Sequence, residues 1–191
     1  ILIGLVGSEM CIRDSCNSYS RNKIGNMKFY NRKSELAELR RIRDLSFSDH
    51  SRLTVVTGRR RIGKTSLIMK AVEDMPTVYL FVGRKSEATL CSEFIPVIGQ
   101  SLDVFVPMEI RTFRSLFQYL MELSSQKPFN LVIDEFQEFY NINESVYSDM
   151  QNIWDTYRKK SKMNLIVSGS VYSLMQKICL LYTSDAADDL I

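Results

Sequence analysis

The sequence predicts an α/β protein, a three-layer α/β/α core built on a mainly parallel sheet, and three observations predict it. Apolar runs of strand length alternate with longer segments of helical period from Leu53 onward. One such run, Leu131, Val132 and Ile133, shows no polar alternation, which fits a strand covered by helices on both faces. Two of the runs lead into TGRRRIGKTS and DEFQE, polar clusters at the strand ends where open α/β sheets bind ligands.

Size and composition agree with a single domain carrying at most an appendage: 191 residues, 45% of them hydrophobic and 10% aromatic. That content excludes disorder throughout. A net charge of +3 is too small to argue for nucleic-acid binding by itself. Cys11, Cys16, Cys91 and Cys179 form no C-x-x-C pair, and His50 is the single histidine, so neither a zinc site nor a disulfide framework has support. No apolar run approaches the ~20 residues needed to cross a bilayer. Ile1 to Gly7 is short and has no basic flank before it, which makes a poor signal peptide. The expected compartment is the cytoplasm.

The two ends differ from the rest. Residues 1–26 carry no sustained period and no helix cap, and are expected to be a non-native or disordered leader. Within them VGSEMCIRDS (Val6 to Ser15) resembles translated sequencing-adapter read-through, as does CLLYTSDAADD (Cys179 to Asp189) at the other end. Setting 1–26 and 179–191 aside leaves a core at 27–178, with Met27 as the expected start. A continuation past about Lys177 is expected too, so that the core is a fragment of something longer.

Met27 to Leu45 reads as a short lead-in and a helix, with Ser34 as candidate N-cap and Leu36, Leu39, Ile42 and Leu45 near one face. Leu53 to Thr57 is an apolar strand. Gly58, Gly63, Lys64 and Thr65 then fit the phosphate-binding pattern G-x-x-x-x-G-K-[ST]. The chemistry accounts for the spacing. Backbone N–H groups wrap a polyphosphate only where no Cβ blocks the approach, so glycines bracket the loop. The free N–H groups at the start of the following helix face the anion. Gly58, Arg59, Arg60, Arg61, Ile62, Gly63, Lys64, Thr65 and Ser66 are the candidate phosphate-binding residues. Lys64 would reach the β- and γ-phosphates, and the Thr65 hydroxyl would ligate Mg²⁺. Arg59, Arg60 and Arg61 either thicken the positive field there or face solvent. Leu67, Ile68, Ala71, Val72 and Met75 form the apolar stripe of the helix.

Thr77 to Val82 reads as a second buried strand after the Met75-Pro76 break. Ser86 to Leu102 reads as a helix disturbed by Pro96 and Gly99. Glu109 to Ser124 is a cleaner one, with Phe113, Leu116, Phe117, Leu120 and Met121 at i, i+3, i+4, i+7 and i+8. The strand through Leu131 to Ile133 ends at Asp134 and Glu135. Asp134 is the candidate Mg²⁺ ligand, directly or through water, and Glu135 the candidate base for an attacking water. Ser145 to Lys160 is a helix whose face of Val146, Met150, Ile153, Trp154 and Tyr157 reads as core. Arg158, Lys159, Lys160 and Lys162 at its end complement the helix dipole. Asn164 to Val167 is a further strand, followed by Ser168-Gly169-Ser170. Ser168 and Ser170 are both candidates to contact the γ-phosphate or the water, and Ser170 alternatively caps a helix starting near Val171.

Taken together, these residues resemble the archaeal-type ATPase family within the AAA+/STAND group of P-loop NTPases. The resemblance is carried by FYNRKSELAEL (Phe29 to Leu39), TGRRRIGKTSL as Walker A, LVIDEFQEF as Walker B and NLIVSGS as the sensor-1 strand. It implies a P-loop core with non-adjacent Walker strands, ATP and Mg²⁺ as cofactors, hydrolysis, and an opening segment, here Tyr30 and Arg32, close to the nucleotide base. In that family further core elements with an arginine finger, a helical lid and a C-terminal domain follow. Nothing after Lys177 matches them, so the lid is expected to be lacking and turnover weak, since such a finger contributes about 10³–10⁵ in rate. DNA or protein partners and an oligomer are implied for the full-length protein through that missing domain, and no membrane. Two readings share the same site: an ATPase, or a nucleotide-gated signalling or DNA-associated switch with little hydrolysis of its own. A small-molecule phosphotransferase is a third, which the Asp134-Glu135 pair disfavours.

Overall fold

The computed structural model describes residues 2–6, 32–171 and 175. Five strands form one sheet: β1 (Leu2–Val6), β2 (Arg52–Thr57), β3 (Thr77–Phe81), β4 (Phe129–Asp134) and β5 (Met163–Gly169). Their spatial order is β1-β2-β5-β4-β3. The pairs β2–β5, β5–β4 and β4–β3 are parallel, and β1 alone runs antiparallel, along β2 from Leu2↔Thr57 to Val6↔Leu53. The expected mainly parallel sheet is therefore present. Leu2–Val6, set apart in the sequence reading, pairs as an edge strand. The rest of the leader, with Cys11 and Cys16, and the 179–191 tail lie outside the described residues.

Among the described residues, helices α1 (Lys33–Ser48), α2 (Lys64–Val72), α3 (Glu87–Leu102), α4 (Phe113–Ser124), α5 (Phe139–Ile142) and α6 (Ser145–Tyr157) flank the strands, with a 3₁₀ turn at Phe136–Glu138. Because strand side chains alternate, neighbouring residues serve opposite layers. Leu53, Val55, Val78, Leu80, Leu131, Ile133, Leu165 and Val167 pack with the buried faces of α3, α4 and α6. Val56, Val132 and Ile166, with the half-buried Tyr79, pack with Leu39 of α1 and Leu67, Ile68, Ala71 and Val72 of α2. Helices on both faces give the three layers, and they explain why the strand runs lack alternation. The predicted stripe of α4 is wholly buried, and Trp154 is 2% exposed, as core.

Three expectations about helix starts and breaks need correction. Ser34 does not cap α1. The cap position is Arg32, no side chain caps it, and the Ser34 hydroxyl donates instead to Glu35 at 2.9 Å. The helix expected from Glu109 begins at Phe113, where the Thr112 hydroxyl accepts the Ser115 N–H. Pro96 and Gly99 do not interrupt α3. Pro96 and Ser92, whose carbonyl loses its helical partner, are both exposed, so water can take the bond that proline removes. The helix expected near Val171 lies outside the described residues except for Val171 and Met175, which are joined by Met175 N–H to Val171 O at 3.0 Å.

Buried amides fix the register at the amino ends of the strands. Asn164 donates to Asn130 at 2.8 Å, and Asn130 to the Pro76 carbonyl and the Thr77 hydroxyl. At the opposite edge Thr57 pairs with Gly169, and Ile133, the residue before Asp134, pairs with Val167, so the carboxyl ends of β2, β5 and β4 lie together.

Candidate functional site

The site is built where β2 and β4 end, separated in the sheet by β5. Gly63 is the N-cap of α2 and takes the left-handed region, φ 84°, which glycine adopts without cost. No side chain caps the helix, so its first backbone N–H groups stay available to an anion. Arg61 also has positive φ, 65°, inside the loop. Arg59, Arg60, Arg61 and Ser66 are exposed, and Gly58 and Ile62 are half-buried. Arg60 approaches Glu135 Oε2 at 4.0 Å with its side chain 71% exposed, a contact that contributes little.

Lys64 is buried, and its Nζ donates to the carbonyls of Gly58 at 2.8 Å and Arg59 at 3.1 Å. Burial pulls its pKa below the usual lysine value, while Glu135 and Asp134 pull it back up and Arg60 adds to the depression. An ammonium folded back on its own loop has donors that phosphate oxygens can take over.

Asp134 collects donors from four directions. Thr65 Oγ1 and Tyr79 OH both donate to Oδ2, at 2.8 and 2.7 Å. The Glu135 N–H donates to Oδ1 at 3.0 Å, and Ser168 Oγ donates to the same oxygen. Desolvation alone would raise its pKa, and the bonds from Ser168, Tyr79, Thr65 and the Glu135 N–H outweigh that, so the carboxyl sits below its ordinary value. The geometry follows from the sheet. Tyr79, Asp134 and Ser168 occupy the same face of three adjacent strands, the face that α2 covers.

Glu135 follows the strand in the left-handed region, φ 54°, and its carboxylate has a separate set of partners from that of Asp134. Its Oε2 accepts from Gln137 Nε2 at 2.5 Å and Ser170 Oγ at 3.1 Å. The structure thus brings Lys64, Thr65, Asp134 and Glu135 together. It divides the two candidate serines: Ser168, fully buried, serves Asp134, and Ser170 serves Glu135. Arg32 stands at the start of α1, and Tyr30 lies outside the described residues. Tyr79 and Gln137 escaped the sequence reading. Tyr79 reads as an ordinary strand aromatic, and only its one-in-two spacing with the strand's other face sets it apart. Among the described residues no helix is long and apolar enough to cross a membrane.

Comparison with known proteins bears on the family and the fold. Residues 29–188 match a family described as an ATPase domain predominantly from Archaea. The uncharacterized protein MJECL04 of Methanocaldococcus jannaschii is 31% identical over 160 residues, which is 82% of this chain and 33% of that protein. Among solved structures, the Walker-type ATPase PABY2304 of Pyrococcus abyssi superposes with a TM-score of 0.61 at 17% identity, over 86% of this chain and 52% of that one. Cdc6p from Pyrobaculum aerophilum gives 0.58 at 16%, over 83% and 45%. Both similarities concern the fold. The chain spans a third of the length of its curated relative and about half of these two solved chains. By the span of the family match, the chain belongs to the ATPase domains found predominantly in Archaea.

Proposed function

We propose that this chain binds ATP with Mg²⁺ and hydrolyses it, and the observation that carries the reading is the meeting of Thr65, Asp134 and Glu135 below an uncapped helix start. Lys64 Nζ exchanges its two carbonyl partners for phosphate oxygens, a trade of neutral acceptors for anionic ones. The first N–H groups of α2 and the backbone of the glycine loop hold the phosphate chain. Thr65 Oγ1 and the ionised Asp134 are hard oxygen donors, and among the described residues no cluster of three His, Cys, Asp or Glu side chains forms. That donor set suits a cation that keeps several waters and takes phosphate oxygens. Bound Mg²⁺ would neutralise charge on the β- and γ-phosphates. Glu135 orients the attacking water and accepts its proton.

The test is Glu135→Gln. ATP affinity stays near the parent value, and phosphate release falls by about 10²–10⁴, the usual contribution of a general base. A variant turning over at the parent rate would remove Glu135 from the role. DNA or protein partners, and assembly into an oligomer, are proposed for the whole protein only; phosphate release measured with and without DNA tests the first.

A further inference from the structure

Glu135 is held, and the manner of holding is specific. Among the described residues Gln137 and Ser170 donate only to Oε2, Arg60 stands nearest that same oxygen, and Oε1 accepts no hydrogen bond. The Glu135 side chain is 18% exposed, so it has little water to orient it otherwise. A carboxylate only accepts, so the nitrogen of the Gln137 amide must face it. That choice leaves Gln137 Oε1 buried without a partner among the described residues, a destabilising arrangement. Oε1 instead occupies the space beside Gly169, where a Cβ would overlap it and come within 2.6 Å of Met175 Sδ. The backbone of the turn is fixed as well: Tyr147 OH donates to the carbonyls of Phe136 and Gln137 at 3.3 and 3.2 Å.

We infer that Gln137 is a positioning residue for Glu135: its amide, lodged against the bare backbone of Gly169, holds one carboxylate oxygen and leaves the other to the attacking water. The inference rests on the proposed ATPase reading. It explains three features together: the orphaned amide oxygen, the glycine at 169, and the one-sided hydrogen bonding of Glu135. It also ties the base to the end of β5, since Ser170 follows Gly169 and Gln137 Nε2 lies 3.5 Å from Ser170 Oγ.

Single-turnover ATP hydrolysis, ATP affinity and thermal stability are measured on the parent chain and on Glu135→Gln, Gln137→Ala, Gly169→Ala and the double variant Gln137→Ala/Gly169→Ala. Gln137→Ala lowers the rate about 10- to 100-fold with affinity unchanged within a factor of about two, as expected of a misplaced reacting group. Gly169→Ala displaces the amide and does the same. The double variant is no slower than the slower single one, because both act through one contact. If Gly169→Ala does not fold, Ser170→Ala replaces it; removing the other donor on Oε2 also lowers the rate with affinity held. Affinity, stability and rate falling together, or additive losses, would overturn the inference in favour of a packing role. Parent-rate turnover in Gln137→Ala with Glu135→Gln inactive overturns this inference alone. A parent chain with no turnover removes the proposed hydrolysis and this inference together.

Discussion

Thr65 Oγ1 donates to Asp134 Oδ2 across 2.8 Å, joining the first turn of α2 to the last residue of β4, 69 positions apart in the chain. The contact depends on β5 lying between β2 and β4, which brings the two strand ends to one edge. Tyr79, from the far side of β4, donates to the same oxygen.

That shared oxygen predicts a role for Tyr79 in cation binding. Tyr79→Phe keeps the packing against α2 and removes one of the four bonds that hold the Asp134 carboxylate. Outer partners of this kind are worth about 10- to 100-fold in metal affinity. The Mg²⁺ concentration giving half-maximal ATP turnover should rise by about tenfold at the low end of that range. Nucleotide binding without Mg²⁺ should not change. Titration of Mg²⁺ against both chains reads this directly, and identical midpoints would count against it.

The motifs at the site were legible because each is local in sequence. TGRRRIGKTSL carries the glycines, the lysine and the helix start in one stretch, and Asp134-Glu135 follows directly from an unbroken apolar strand. The network around them was not legible. Whether Tyr79 or Ser168 reaches Asp134 depends on the order β5-β4-β3 and on register, Tyr79↔Val132 and Ile133↔Val167, which hydrophobic period cannot supply. The split between Ser168 and Ser170 was hidden for a related reason: two residues apart, they would share a face if the strand continued, but β5 ends at Gly169 and Ser170 has left it. At Ser34, local chemistry misled, because the helix starts with no side-chain cap at all.

A buried hydroxyl offers a stability test independent of nucleotide. Thr54 on β2 is 0% exposed, and its Oγ1 has no hydrogen-bond partner among the described residues. Thr54→Val keeps the β-branched shape and removes the unpaired polar atom. Unfolding by urea should show a gain of about 1 kcal/mol. Loss of stability would mean the hydroxyl is satisfied in solution.

Alkaline pH should weaken the fold through Cys91. Burial pushes this thiol up from 9.0 to about 11, with the Glu87 carboxylate adding to the rise and Arg111 opposing it. Below pH 9 both folded and unfolded states hold the proton and nothing changes. Between 9 and about 11 the unfolded chain releases it and the folded chain does not. Stability therefore falls as pH rises through that window, by up to about 1.4 kcal/mol per pH unit. Cys91→Ala should remove that part of the slope while leaving the curve below pH 9 parallel to the parent's. Equal slopes in the two chains would show the thiol ionising alike in both states.

Under the proposed function the loop from Gly58 to Thr65 grips a triphosphate, with Lys64 as its one buried ammonium. Calorimetric titration of ATP with Mg²⁺ into the parent chain and into Lys64→Ala tests it most directly. The parent should bind, and the variant should lose about 1.5–3 kcal/mol, roughly 10- to 150-fold in affinity, for the missing charge-assisted bonds. Equal affinity in the two chains, or no binding by the parent, would contradict it.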